Sequence, residues 1–162
     1  MGRLTAPEPI TPGHGLDQFD CGIQTLNQWL QRQALINETT GASRTFVTCD
    51  HQRVVGFYAL ATGSVRRGEA PGRVKRGMPD PLPVMVLGRL AVARHWQKHG
   101  VGAGLLKDAV LRTLTVSRKA GIRALLVHAL SESAKDFYLR YGFRESPFNP
   151  MTLMLNLTDW DV

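Results

Sequence analysis

Residues 84–92 form an apolar run, broken by Gly88 and Arg89, that leads into Gln97-Lys98-His99-Gly100-Val101-Gly102-Ala103-Gly104 and then into Leu105-Leu106-Lys107-Asp108-Ala109-Val110. A strand, a glycine-rich turn and an amphipathic helix in this order can leave several backbone N–H groups pointing outward at a helix N-terminus. There they and the helix dipole hold phosphate oxygens. The chemistry implied is capture of a pyrophosphate at residues 97–104, the alternative being a glycine-rich helix start with no ligand. Two familiar cradles do not fit. The P-loop requires Lys-Ser or Lys-Thr after its last glycine, and neither follows here. The dinucleotide fingerprint requires Gly-x-Gly-x-x-Gly and a later acid; Gly100-Val-Gly102-Ala-Gly104 has the wrong last interval, and no acidic residue lies near position 124. What remains is Gln97-x-x-Gly100-x-Gly102.

The elements around this turn follow from apolar spacing. Upstream, residues 3–10 read as an extended arm or a strand confined by its prolines to a sheet edge. Ile23, Leu26, Leu30 and Ala34 recur at helical spacing and predict one helix over residues 23–38. Residues 44–49 and 54–64 read as two strands joined by the four residues 50–53, a hairpin length, with Gly56 marking a bulge, a close approach or a plain strand glycine. Between residues 65 and 83 periodicity is lost among Gly, Pro and the basic Arg66, Arg67, Arg73, Lys75 and Arg76. This is a long loop, either RNA-contacting or simply solvated. In the strand 84–92, Arg89 needs a carboxylate partner or an opening to solvent.

Downstream, Leu105, Leu106, Ala109, Val110 and Leu114 mark the buried face of a helix expected to end near Gly121 as its C-terminal cap. Residues 122–130 read as a strand parallel to 84–92, completing a βαβ crossover. Ser131 is the expected N-cap of a helix over 131–141, stopped by Gly142, and residues 151–157 close the sheet. His128 is either a base or a satisfied core histidine. The fold class is therefore α/β (α+β): one domain over residues 1–162, a mixed and mostly antiparallel twisted sheet with a central parallel βαβ pair, flanked by helices.

Composition narrows the partners. At 162 residues there is room for one sizeable core. A formal charge of +7 favours polyanions such as CoA or RNA and disfavours a polyamine substrate. Cys21 and Cys49 lack metal-ligand spacing and read as reduced thiols of a cytoplasmic protein, with no metal expected. The first ten residues read as no signal peptide, Ala6 breaks a myristoylation pattern, and no apolar run is long enough to span a membrane.

The strand, the Gln97 turn, the helix, the parallel strand and then Ala134-x-x-Phe137-Tyr138-x-x-x-Gly142-Phe143 together resemble the GNAT N-acetyltransferase superfamily over residues 44–157. Phe19-Asp-Cys-Gly22, Leu26-Asn-Gln-Trp-Leu30, Gly41-Ala-Ser-Arg-Thr-Phe-Val47 and the run 55–65 resemble its bacterial toxin branch, the TacT, KacT and AtaT type. The resemblance implies acetyl-CoA as cofactor and the α-amine of aminoacyl-tRNA as acceptor, with translation blocked. It also implies neutralisation by a ribbon-helix-helix antitoxin, and a homodimer.

Residue by residue, the resemblance implies Tyr138 as the acid for the leaving thiolate, with Tyr141 as its competitor one turn along. Main-chain groups of Leu90, Ala91 and Val92 would face the thioester and pantetheine, and Gln97, Lys98, His99, Gly100, Val101, Gly102, Ala103 and Gly104 the pyrophosphate. Ser131 stands where the family sometimes carries an Asn, a side-chain contact to pantetheine. Arg66, Arg67, Lys75, Arg76 and Arg89 are the candidates for holding tRNA. An aminoacyl α-amine, with a pKa no higher than about 8, is already partly neutral and needs no strong base, whereas a thiolate of pKa about 8.5 benefits from a nearby phenol. A GNAT acting on a small-molecule or protein amine, and a non-catalytic RNA- or partner-binding module, are the alternatives.

Overall fold

The computed structural model describes residues 3–160, so the Met-Gly start considered for lipidation lies outside the described residues. In chain order the elements are β1 (Glu8–Pro9), α1 (Gln24–Arg32), α2 (Ala34–Thr40), β2 (Arg44–Asp50), β3 (Arg53–Val65), α3 (Gly72–Lys75), β4 (Leu82–Val92), α4 (Val101–Ser117), β5 (Ala124–His128), α5 (Glu132–Arg140), β6 (Arg144–Glu145) and β7 (Thr152–Asn156). The strands form a seven-stranded sheet in the order β1-β2-β3-β4-β5-β7-β6. The β4–β5 pair is parallel, with Val84 opposite Ala124 and Leu87 opposite Val127, as the crossover requires. The pairs β1–β2, β5–β7 and β6–β7 are antiparallel. No helix among the described residues is long and apolar enough to cross a membrane. The chain divides into two compact units, Met1–Ala61 with Gly88–Ala109, and Thr62–Leu87 with Val110–Val162.

The first unit is built on the β2–β3 hairpin. Its connection is shorter than expected: only His51 and Gln52 leave the strands, both at positive φ of 50° and 70°. Such a pair matches the right-handed twist of the flanking strands. On the inner face Phe57 is fully buried, with Phe19 edge-on at 5.5 Å and Trp29 stacked at 6.0 Å, among Leu30, Val47 and Ala91. The helix expected over 23–38 is two, interrupted at Gln33, which stays in the right-handed region but at a wide φ of −113°. Neither Pro nor Gly marks that break. Gly41, at φ +80°, caps α2. The N-terminal arm is an edge strand, and it places the Glu8 carboxylate, the His14 imidazole and the Cys49 thiol within 4.8 Å of one another, a proximity the linear spacing of the cysteines did not reveal. The His14 ring is satisfied by Glu8 at 2.9 Å and by the Thr11 N–H at 2.9 Å. Burial pushes the Cys49 thiol up to about 11.

Gly56 is both a close approach and a bulge neighbour. Thr48 pairs with Gly56 and Cys49 with Val54, so Val55 has no opposite residue, and its carbonyl accepts the Ala93 N–H at 2.7 Å. A β-carbon at Gly56 would lie 3.0 Å from Leu105 Cδ1 and 3.2 Å from both Thr48 Cγ2 and Val101 Cγ1.

In the second unit, Leu82, Val84, Ala124, Leu126 and Met154 form the core on one sheet face. The segment expected as a long loop is ordered. A 3-10 turn (Arg67–Glu69) and α3 lower Ala70 and Val74 into that core. Arg123 then donates to three of its carbonyls, Val74 at 2.9 Å, Arg73 at 3.0 Å and Arg76 at 3.2 Å. Two alanine- and valine-sized anchors among charged residues are too sparse a pattern to read as an element. Helix α4 stops at Ser117, and Gly121 does not adopt the left-handed conformation expected of its cap. Ser131 caps α5 as expected, its hydroxyl accepting the Ala134 N–H at 3.1 Å, and Gly142 follows at φ +93°.

Gly56→Ala is expected to lower unfolding stability by about 1–3 kcal/mol through overpacking, measured by chemical denaturation. A variant as stable as the native chain would show that Leu105 and Val101 can move aside.

Candidate functional site

In the first unit the functional turn grows from the end of β4. The parallel ladder is recorded as far as Leu87, whereas β4 runs on through Leu90 and Ala91 to Val92. A 3-10 turn (Arg94–Trp96) then leads to Gln97. The Gln97 amide Nε2 donates to the carbonyl of Val92 at 2.9 Å and to that of Cys21 at 3.0 Å. The amide of the side chain expected to line a pyrophosphate is thus engaged on two carbonyls of the turn's base, while the residue stays exposed.

The Cys21 carbonyl is itself held in place. Asp20 accepts from the Gly22 N–H at 2.9 Å and from Asn27 Nδ2 at 3.1 Å, the Cys21 N–H donates to Asn27 Oδ1 at 2.9 Å, and Arg94 Nε lies 3.1 Å from Asp20. The Gly22 amide, then Asn27 and Arg94, hold the Asp20 carboxyl below its ordinary value. The run Phe19-Asp-Cys-Gly22 is the buttress of the turn.

Beyond Gln97, Lys98 sits at φ +65° and Gly100 at φ +82°. A lysine in the left-handed region is strained, and alternation of this kind turns successive N–H groups to one side. Helix α4 begins at Val101, so Gly102, Ala103 and Gly104 are its first turn rather than the loop before it. The N–H groups of Val101, Gly102 and Ala103 have no intrahelical acceptor by helix geometry, while Gly104 donates to Gly100 at 3.1 Å. A β-carbon at Gly104 would meet nothing within 4 Å, which leaves room for a ligand against the backbone. These features fit a pyrophosphate. Lys98 and His99 are exposed beside them.

Arg89 also lies in the first unit. It has neither a carboxylate partner nor full exposure; its guanidinium sits 4.4 Å from the centre of the Trp29 ring, half-buried, and burial lowers its pKa. A cation over an aromatic face is a third way to hold a charge on an otherwise apolar strand.

The second unit carries the other residues. Tyr138 is buried at 6 % exposure against Phe137 at 5.1 Å and Phe143 at 5.3 Å. Burial pushes its pKa far above the ordinary phenol value. Its hydroxyl has no hydrogen-bond partner among the described residues. A buried tyrosine usually satisfies that group, so the arrangement keeps a protonated donor available. Tyr141, its competitor by sequence, is 37 % exposed, and the structure separates the two. Ser131 is occupied as the cap of α5, with Ser133 Oγ at 3.1 Å.

His128 is exposed, not a core residue; its Nδ1 lies 2.9 Å from Thr152 Oγ1. Of the basic residues, Arg66 is exposed with no ion pair among the described residues, whereas Arg67 Nε donates to the Lys75 carbonyl at 3.1 Å. Lys75 is half-buried and Arg76 exposed. Sequence reasoning passed over Phe148, the most exposed large hydrophobic of the described residues at 75 %. Its signal was an aromatic residue between two prolines, three positions apart.

Residues 41–145 match the family described as acetyltransferase (GNAT) domain. The chain is 47% identical over 159 residues to the tRNA-acetylating toxin of Mycobacterium tuberculosis (strain ATCC 25618 / H37Rv), covering 98% of this chain and 96% of that protein. Among solved structures it resembles AtaT complexed with acetyl-methionyl-tRNAfMet, with TM-score 0.89 and 29% identity over 96% of each chain. It also resembles a tyrosine-to-phenylalanine mutant of the AtaT toxin bound to the C-terminus of the antitoxin AtaR and acetyl-CoA, with TM-score 0.82 and 28% identity over 96% of this chain and 94% of that one.

Gln97→Leu removes both braces at similar size. Each neutral hydrogen bond contributes about 1 kcal/mol, so acetyl-CoA affinity is expected to fall roughly 10-fold by calorimetry while the protein stays folded. Unchanged affinity would mean that the turn holds its shape without the amide.

Proposed function

This chain belongs to the GNAT acetyltransferase family, and on that basis we propose that it transfers acetyl from acetyl-CoA to the α-amine of aminoacyl-tRNA and so blocks translation. It is a toxin neutralised by a ribbon-helix-helix antitoxin, and it works as a cytoplasmic homodimer. The observation that carries the mechanism is Tyr138, a buried ring whose hydroxyl has no hydrogen-bond partner among the described residues. The relatives described above support the choice of acceptor.

Acetyl-CoA contributes the thioester. The amine lone pair forms a bond to the thioester carbon, and main-chain N–H groups of Leu90–Val92 hold the oxygen on which charge develops; oriented amides do this without reorganising. As the C–S bond breaks, Tyr138 gives its proton to the thiolate, and the proton lost from nitrogen returns to solvent and thence to the phenolate. With its pKa raised, Tyr138 acts as acid and not as the initial base, so the amine must enter neutral. The N–H groups from Lys98 to Ala103 hold the pyrophosphate, with Gly104 leaving room beside them and Lys98 and His99 alongside, and Gln97 and Ser131 keep turn and helix in place. Arg66, Arg67, Lys75 and Arg76 receive the RNA backbone, and Arg89, steadied by Trp29, is a further contact.

Tyr138→Phe is expected to lower acetylation of aminoacyl-tRNA by at least 100-fold with acetyl-CoA affinity unchanged, the range for loss of a positioned acid. Full activity would remove the assignment. The assay uses labelled acetyl-CoA and mass analysis of the released aminoacyl adenosine; acetyl on a small amine or a protein terminus instead would identify a different acceptor.

Phosphate contacts release counterions, so kcat/KM for tRNA should fall steeply with added salt, and Arg66→Glu should lower it roughly 10-fold at 0.1 M salt. An unchanged value would exclude this segment from the RNA interface.

A further inference from the structure

A cavity of about 500 Å³ opens in the second unit over the apolar floor of Val84, Leu126 and Met154, with Glu69, His128 and Phe148 in its wall. The loop that carries Phe148 is pinned on several sides. The Ser146 N–H donates to the Thr152 carbonyl at 2.8 Å, and Ser146 Oγ donates to the Glu69 carbonyl at 2.7 Å while accepting the Phe148 N–H at 3.4 Å. Asn149 Oδ1 accepts the Met151 N–H at 3.1 Å, and Pro147 and Pro150 restrict the chain on either side. This loop holds an aromatic ring out in solvent at 75 % exposure. A ring that served only the core would turn inward, and one on a mobile loop would lose entropy on binding; here the ordering cost is already met.

Its neighbourhood is basic. A β-carbon at Gly68 would lie 3.9 Å from Phe148 Cε2, so the ring borders the segment that carries Arg66 and Arg67. Arg66 is exposed with no ion pair among the described residues. An exposed aromatic face beside unpaired arginine charge is the combination that grips single-stranded nucleic acid, bases stacking on the ring while the cations follow the backbone. Glu69, the one carboxylate in the cavity wall, disfavours phosphate over the apolar floor and leaves it to the arginine side. The Ser146–Glu69 bond joins the two walls, so ring and arginines hold a fixed spacing.

We propose that Phe148 is the stacking platform for the terminal nucleobase of the acceptor RNA, with the Arg66–Glu69 segment beside it directing the phosphodiester. This rests on the reading of aminoacyl-tRNA as the acceptor. The probe is uncharged tRNA carrying 2-aminopurine at its 3′ end, whose fluorescence is quenched by stacking, together with steady-state kinetics on aminoacyl-tRNA. Native protein and Phe148→Trp are expected to quench. Phe148→Leu, which keeps an apolar side chain but has no π face, should lose the quench and raise KM roughly 5- to 150-fold, with kcat and acetyl-CoA affinity within about 2-fold.

A native KM and full quenching in Phe148→Leu would overturn the proposal. So would a variant that kept its tRNA kinetics but escaped the antitoxin, because the ring would then belong to a protein interface. Failure of the native protein to acetylate any aminoacyl-tRNA would remove the acceptor reading itself, whereas acetylation without quenching would remove only the stacking.

Discussion

The amide of Gln97 is the interaction on which the glycine turn and the start of α4 depend. By donating to the last carbonyl of β4 and to the carbonyl of Cys21, it fixes where the chain leaves the sheet. Arg94 adds its N–H to the Asp20 carbonyl at 2.9 Å, and Ala93 donates to the bulged Val55 at 2.7 Å. Only a segment tied at so many points can hold Lys98 at positive φ, a conformation that costs on the order of 1 kcal/mol or more for a side chain with a β-carbon. The reward is a helix that starts at Val101 with its first N–H groups uncovered.

The same logic explains sequence features that carry no chemistry themselves. Asp20 and Asn27 have polar side chains wholly engaged in shaping the run Phe19-Asp-Cys-Gly22. Gly56 has no side chain because Leu105 and Val101, on the helix the turn launches, press against its backbone. A second glycine with a positional duty is Gly100, whose φ of +82° few other residues adopt at low cost.

In the second unit, order comes from contacts distant in sequence. The basic segment between β3 and β4 is anchored from the far side of the chain, by Arg123 on its carbonyls and by Ser146 on Glu69. Its charges are therefore presented from a fixed scaffold. Tyr138 follows a different rule: an edge-on Phe137 and a tilted Phe143 pack against the buried ring, the same burial holds the proton on the hydroxyl, and no neighbour competes for that proton.

By itself the sequence determined the strand, turn, helix and strand succession, the parallel pair, the capping of α5 by Ser131 and the position of the glycine turn. All of these are local: hydrophobic period, cap residues and glycine spacing act over a few neighbouring positions. What only the tertiary structure decided was the direction each side chain takes. Gln97 bent its amide back onto two carbonyls, Arg89 lay over Trp29 in place of a carboxylate, His128 came out to solvent, Tyr138 and Tyr141 parted into buried and exposed, and Phe148 emerged as a surface ring. The helix break at Gln33 and the ordering of the 65–81 segment belong with these. Each depends on a partner tens of residues away or on the balance of burial at one site, and neither leaves a periodic trace in the chain.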